Sequence, residues 1–222
     1  MKKLITAVTT VLALTVSLTA QAEPIKRKIC VFDIVGNVGP VMGAMKDWQA
    51  AALGWDLEVE LIPHTNEAIA AEDLKAGVCD AALITGIRGR NFNKYAGTID
   101  SIGAIPSMEH MEVVLKVLAH PQTADKLSQG SYQIMGVAPA GAAYVFVNDR
   151  EVNSLAKAAG KRVAVLEYDE TQAILVSQVG ATPVGSDITN FSTKFNNGVL
   201  DVIVAPLVAY DALELYKGLS PD

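Results

Sequence analysis

The sequence predicts an α/β protein of two similar lobes, and three observations predict it. Short apolar runs of strand length alternate with helical periodicities through residues 28–84, in the order strand, helix, strand, helix, strand, and do so again through residues 162–205. The connections are short, so each set is expected to form a parallel sheet flanked by helices. Finally, one unit occurs twice, as LKAGVCDA at 74–81 and FNNGVLDV at 195–202: a helix ending before a glycine, then Gly-x-x-Asp, then a buried strand. The glycine suits the left-handed position that closes a helix.

The N-terminus is read separately. Lys2 and Lys3 precede an apolar run over residues 4–20, and Ala20-Gln21-Ala22 is a small-residue cleavage site, so residues 1–22 are read as a signal peptide. No Cys follows the run, so no lipid attachment is expected there, and no second run is long enough to span a membrane. Removing Lys2 and Lys3 takes the formal charge from −6 to −8. An acidic mature chain argues against nucleic acid and anionic membrane surfaces as partners.

In chain order, residues 28–33 (KICVFD) form the first strand. A helix follows with Val41, Met45, Trp48 and Ala52 on one face, Pro40 in its first turn and Gly54 at its stop. Residues 57–62 form the second strand, Thr65 or Asn66 caps a helix over 67–76, and residues 80–84 form the third strand. A basic loop over 85–90 (TGIRGR) leaves that strand. Residues 108–118 form a helix with Met111, Val114, Leu115 and Leu118 inward, and 123–129 a shorter one. Strands are expected over 131–137 and 143–147, joined by a crossing segment at 138–141. The second half reads as helix 151–159, strand 162–166, an acidic loop at 167–170, helix 171–179, strand 181–184, helix 187–198, strand 201–205 and helix 207–216. The lobes are placed at 23–140 and 141–222.

The chemistry-bearing residues favour binding over catalysis. His64, His110 and His120 lack zinc-protease spacing, so no metal site is expected, and no G-x-S-x-G or phosphate-loop motif is present. No cofactor is expected either. In parallel sheets, ligands collect at the carboxyl ends of the strands. The loop at 85–90 leaves a strand at that edge, and the binding candidates are Asn37, Thr85, Arg88 and Arg90 in the first lobe with Glu167, Tyr168, Asp169 and Gln172 in the second. If the 85–90 loop is extended, Arg88 and Arg90 share a face and both reach an anion; if it curls, only one does. The acidic loop can take an amine or simply favour the N-terminus of the next helix. Gly36, Gly39 and Gly43 shape either an amide-lined ligand loop or a tight strand-to-helix turn. Cys30 and Cys79 are two buried thiols or, with their strands adjacent in an oxidising compartment, a disulfide.

Several stretches resemble a known family. The paired helix-Gly-x-x-Asp-strand units, Ile105-Pro106, GKRVAV at 160–165 and VGATPV at 179–184 are similar to extracytoplasmic substrate-binding proteins of TRAP transporters. ICVFD at 29–33, EDLKAG at 72–77 and TGIRGRNFN at 85–93 resemble, more narrowly, the AdeT-like solute-binding proteins, whose members often carry efflux or drug-resistance labels. The resemblance covers residues 26–218 and implies a two-lobed periplasmic binding-protein (type II) fold. It also implies a small polar or anionic ligand taken up between the lobes, no enzymatic activity, and an inner-membrane transporter as partner. The alternative is an accessory component of an efflux system. Two departures stand out. The arginine that grips the ligand carboxylate in TRAP binding proteins falls at Ala164, with Arg162 two residues earlier on the same strand face. The family also continues past the last helix with segments returning to the first lobe, which are missing here.

Protein released from the cell envelope by osmotic shock is expected to begin at Glu23 on N-terminal sequencing; an intact Met1 in that fraction overturns the signal-peptide reading.

Overall fold

The computed structural model describes residues 23–101 and 103–220; residues 1–22, expected from sequence to be a signal peptide, lie outside them. The first sheet has the order β2-β1-β3, all parallel, from β1 (Ile25–Phe32), β2 (Leu57–His64) and β3 (Ala81–Leu83). Helices α1 (Pro40–Ala52) and α2 (Glu67–Lys75) make the two crossovers. The second sheet has the order β6-β9-β7-β8, from β6 (Ala143–Val147), β7 (Arg162–Leu166), β8 (Thr182–Ser186) and β9 (Val202–Pro206). β7 runs parallel to both β8 and β9, while β6 is antiparallel to β9. Its crossovers are α6 (Glu170–Gln178) and α7 (Phe191–Asn196), and α8 (Ala209–Ala212) follows β9. Between the sheets lie the short α3 (Gly86–Gly89) and α4 (Lys94–Gly97), the longer α5 (Met108–Leu118), and a hairpin of β4 (Ser128–Gln129) and β5 (Tyr132–Gln133).

The duplicated unit is the same structure twice. Gly77 and Gly198 take φ of 72° and 68°, where a side chain would be strained. The next two amides turn back onto one carbonyl: Val78 and Cys79 onto Asp73, Val199 and Leu200 onto Lys194. Each aspartate then ties its strand to the start of the central one. Asp80 donates its N–H to Lys28 O at 2.8 Å and accepts the Lys28 N–H at 2.7 Å. Asp201 does the same with Arg162, at 2.8 Å in both directions. Arg162 adds Nε and Nη2 to the Asp201 carboxylate at 2.9 and 2.6 Å, a forked charge-assisted pair.

The cores differ in chemistry. The second sheet packs on Phe146, Phe191, Phe195, Leu200, Ile203 and Leu215; burying each large apolar side chain contributes about 1.5–3 kcal/mol. Beneath the first sheet the cluster is smaller: Cys30, Ala70 and Cys79, flanked by Ile62, Ala82 and Ile84. There Cys30 and Cys79 are joined as a disulfide closing a separation of 49 residues, worth roughly 4 kcal/mol in the chain-entropy account. The corresponding second-unit positions are Ala164, which packs against the apolar cluster, and Leu200 within it.

Several expectations are corrected. The 85–90 segment is helical, because the Thr85 hydroxyl accepts the Arg88 N–H and Thr85 O accepts the Gly89 N–H. The buried face of α1 carries Met42 and Ala52, while Trp48 is 37% exposed; the Gln49 amide donates to Val59 O and fixes that rotation. Strand 131–137 shrinks to β5, since its one partner is the two-residue β4. Helix 151–159 shrinks to a 3-10 turn at Leu155–Ala158, because Asp149 accepts the Glu151 N–H and holds the start as a turn. The 207–216 helix breaks at Glu214, which has φ 52°. Among the described residues no helix is long and apolar enough to cross a membrane.

The Arg162 fork and the surrounding hydrogen bonds hold the Asp201 carboxyl well below the ordinary carboxylate range. A depressed folded-state pKa gives stability that is present above the unfolded value and lost as pH falls toward the folded one. Asp201→Ala is therefore expected to cost about 1.5–3 kcal/mol in urea unfolding at neutral pH, with the difference shrinking as the solution is acidified. Glu58→Ala, at an exposed pair with Lys26, is expected to stay within experimental scatter.

Candidate functional site: a charged cluster between the two sheets

The carboxyl ends of β1, β2, β3 and β7 carry a chain of buried and half-buried charges. At its centre is Glu67, the first residue of α2, with a side chain only 3% exposed. A carboxylate so buried must be paired and hydrogen-bonded. The Thr85 N–H donates to Oε1, while Oε2 receives Arg88 Nε at 3.1 Å and the Tyr168 hydroxyl at 3.2 Å. Glu67 thus joins the end of β3, α3 and the loop after β7. The Arg88 guanidinium lies over the Tyr168 ring, 3.8 Å from its centroid, a desolvated cation–π contact. Burial and the Glu67 charge push the Tyr168 phenol well above its ordinary value, against the pull of Arg88. Tyr168 is therefore a neutral donor throughout the physiological range.

Arg90 makes a second link. Its Nη1 donates to Asp169 Oδ2 at 3.0 Å, across 79 residues of sequence. Nε reaches Gly97 O at 3.1 Å and Nη2 reaches Asp100 O at 3.0 Å, so every guanidinium nitrogen has a protein acceptor. The route needs glycine: a β-carbon on Gly97 would fall 2.2 Å from Arg90 Cγ, and one on Gly86 would fall 1.7 Å from Asp100 Oδ2. Desolvation pushes the Asp100 carboxyl above its ordinary value; Arg90 opposes this and Glu67 adds to it. Asp169, only 6% exposed, also caps α6 by accepting the Thr171 N–H.

The eight residues singled out from sequence divide accordingly. Thr85, Arg88, Arg90, Tyr168 and Asp169 meet in this cluster. Gln172 points back and accepts the Leu166 N–H. Glu167 is exposed beside Gly185, and Asn37 is exposed on the turn after β1, its carbonyl taken by Lys46 Nζ. Of the two readings of Gly36, Gly39 and Gly43, the tight turn holds. The buried Asp33 carboxylate accepts the N–H groups of Val35, Val41 and Met42, taking the amides a ligand would need. A β-carbon on Gly39 would sit 2.0 Å from Asp33 Oδ1. Sequence reasoning passed over Glu67, which reads as an ordinary acidic residue favouring a helix N-terminus, and Asp100. A signal for Glu67 existed: it opens the helix at the carboxyl end of β2, on the same edge as the basic segment. Arg162 stands at the opposite end of β7, engaged with Asp201. Two shallow depressions, one of 430 Å³ against Ala173 and Ile174, one of 390 Å³ against Met108, Met111 and Pro139, include none of the eight.

A family model described as solute-binding protein AdeT 1/2 matches residues 49–222. The chain belongs to this family. It is 46% identical over 189 residues to "Probable solute-binding protein AdeT1" of Acinetobacter baumannii, covering 85% of this chain and 62% of that protein. With AdeT2 of the same organism the identity is 30% over 126 residues, covering 57% of this chain and 53% of that one. The chain thus spans less than two thirds of the length of the AdeT relatives it matches. Among solved structures, a TRAP periplasmic solute-binding protein from Sulfitobacter sp. NAS-14.1 with bound β-D-galacturonate aligns with a TM-score of 0.72 at 13% identity, covering 87% of this chain and 66% of that one. An extracytoplasmic solute receptor of Bordetella pertussis binding pyroglutamic acid aligns at 0.65 and 15%, covering 86% and 64%. These likenesses give the AdeT family chain the TRAP binding-protein fold.

The Arg90–Asp169 pair is the direct ionic link between the segment after β3 and the segment after β7. A double-mutant cycle of Arg90→Ala and Asp169→Ala in urea unfolding is expected to give a coupling of about 1–3 kcal/mol; additivity within about 0.3 kcal/mol means the pair carries nothing.

Proposed function

We propose that this AdeT family member is an exported, non-catalytic solute-binding protein that presents a small carboxylate-bearing molecule to a membrane transporter. Its lobes are residues 23–140 and 141–222, and the ligand enters between them. One observation carries this reading. Arg88 has Nε fixed by Glu67 and its plane fixed by Tyr168, whose hydroxyl it also meets, while neither Nη1 nor Nη2 is hydrogen-bonded to a carboxylate of a described residue. That edge of the guanidinium is oriented, partly desolvated and without a carboxylate partner, which suits forked recognition of one. Arg88 then does from the first lobe what Ala164 cannot do from β7.

The remaining candidates take supporting roles. Thr85 sets the helical turn that carries Arg88, and Tyr168 closes over it. Arg90 and Asp169 latch the lobes; parting them would uncover Arg88 and admit the ligand. Similar folds hold β-D-galacturonate, β-D-glucuronate, orotic acid and pyroglutamic acid. All are small acids, which supports the carboxylate class and makes them the first probes.

Thermal-shift screening of those four acids, together with mass spectrometry of metabolites retained on gentle purification, is expected to reveal a carboxylate ligand. Calorimetric titration of that ligand should then weaken about 30-fold or more in Arg88→Ala, the loss of roughly 2–5 kcal/mol from a desolvated charged contact. Glu167→Ala should bind within about threefold of wild type, under about 0.7 kcal/mol. Equal binding by Arg88→Ala and wild type places the ligand elsewhere.

A further inference from the structure

The disulfide of the first sheet sits in a set of metal-binding side chains that the binding reading does not use. Cys30 lies on β1, His64 ends β2, Asp73 is in the last turn of α2, and Cys79 follows that helix. The Cys30 Sγ, a His64 ring nitrogen and an Asp73 carboxylate oxygen all lie within 4.8 Å of one another. Cys79 Sγ is bonded to Cys30 Sγ. Cys30 is fully buried and Cys79 2% exposed. His64 Nε2 is itself buried and stands 3.3 Å from Asp73 Oδ2, yet makes no hydrogen bond to any described residue.

The duplication supplies an internal control. Strand register and the shared turn equate Cys30 with Ala164, His64 with Ser186, Asp73 with Lys194 and Cys79 with Leu200. In the second unit those positions form an apolar contact and a Lys194 Nζ bond to the Ser186 hydroxyl at 3.4 Å. The fold therefore brings these four positions together whatever occupies them, and it does not need metal-ligating residues there. In the first unit all four are zinc ligands by chemistry: two thiol sulfurs, an imidazole and a carboxylate.

We propose that Cys30, Cys79, His64 and Asp73 form a tetrahedral zinc site when the disulfide is open. With the bond closed neither sulfur is a thiolate, and His64 and Asp73 alone are too few ligands for a structural zinc site. Reduction by a trialkylphosphine transfers two electrons to the sulfurs. The phosphine takes the oxygen of one water and becomes its oxide, and the two protons of that water complete two thiols. Zinc then displaces those two protons to bind two thiolates, a neutral imidazole and the carboxylate. Ligand atoms around one zinc stand about 3.3–3.8 Å apart, given bonds of about 2.0–2.3 Å; Cys30, His64 and Asp73 already stand within 4.8 Å of one another, and opening the disulfide frees the Cys79 sulfur beside Cys30 to turn toward them. The scaffold does not depend on the disulfide alone. Cys79 N–H bonds to Asp73 O, the next residue is clamped to Lys28, and β1–β2 pairing fixes Cys30 beside His64. The site would exist wherever the chain is held under reducing conditions.

The test uses the purified protein, oxidised or phosphine-reduced and desalted without air, titrated with cobalt(II) and then zinc. Reduced protein is expected to take one metal per chain, with a thiolate-to-cobalt charge-transfer band, the intense visible bands of tetrahedral cobalt, and affinity that falls as pH is lowered. Oxidised protein should show none of these. His64→Ala, which leaves both cysteines, should bind roughly tenfold or more weakly, since even partners outside the metal's ligand set contribute about 10–100-fold. A reduced protein that stays folded by circular dichroism and takes no cobalt overturns the proposal. So does His64→Ala with unchanged spectrum and affinity. If reduction unfolds the first sheet, one equivalent of zinc must restore its dichroism; failure to do so also overturns it.

Discussion

Glu67 needs three donors, two from the turn at 85–88 and one from the loop after β7, and the arrangement of the strand-end edge depends on that need. Its carboxylate is buried at the start of α2, where water cannot solvate it, and leaving it unpaired would cost several kcal/mol. Thr85 comes from the end of β3, Arg88 from α3 and Tyr168 from the loop after β7. Satisfying the charge therefore fixes where the basic segment turns, how Arg88 is oriented and where the second sheet's loop sits. Arg90 and Asp169 reinforce that placement between the same two segments, the one after β3 and the one after β7.

The same economy of polar groups runs through both sheets. Asp33 caps α1, Asp169 caps α6, and Asp80 and Asp201 clamp adjacent strands. Each carboxylate organises backbone N–H groups that would otherwise lack acceptors. This distribution separates structural acids from the edge of Arg88 that has no carboxylate partner. Several solved structures that share this fold hold small acids, and this chain has Ala164 on β7 and Arg88 on α3.

The internal duplication also shows how freely chemistry varies on a fixed frame. Gly77 and Gly198, with Asp80 and Asp201, keep the turn geometry, while the positions around them diverge. One unit fills its central contact with aliphatic and aromatic side chains, the other with a disulfide next to an imidazole and a carboxylate. The first sheet has the smaller apolar cluster, and a covalent link there offsets what apolar burial does not supply.

By itself, the sequence determined the α/β class, the two parallel βαβαβ units, the glycine-aspartate turns, and the strand-end edge that carries Arg88 and Arg90; whether Cys30 and Cys79 are bonded was left to the structure. These rest on periodicity, turn chemistry and strand order, which are local or follow from connection rules. What lay beyond it were the choices settled by competition between distant groups. Whether residues 85–90 extend or coil depended on a Thr85 cap and a Glu67 partner 18 residues upstream. Whether Arg88 or Arg90 keeps an edge without a carboxylate partner depended on Gly97, Asp100 and Asp169 converging on one of them. Whether His64 meets cysteines depended on β1–β2 register. Burial decides these outcomes, because a charge or donor left without its partner inside the protein costs far more than on the surface, and only the tertiary structure says which groups are inside.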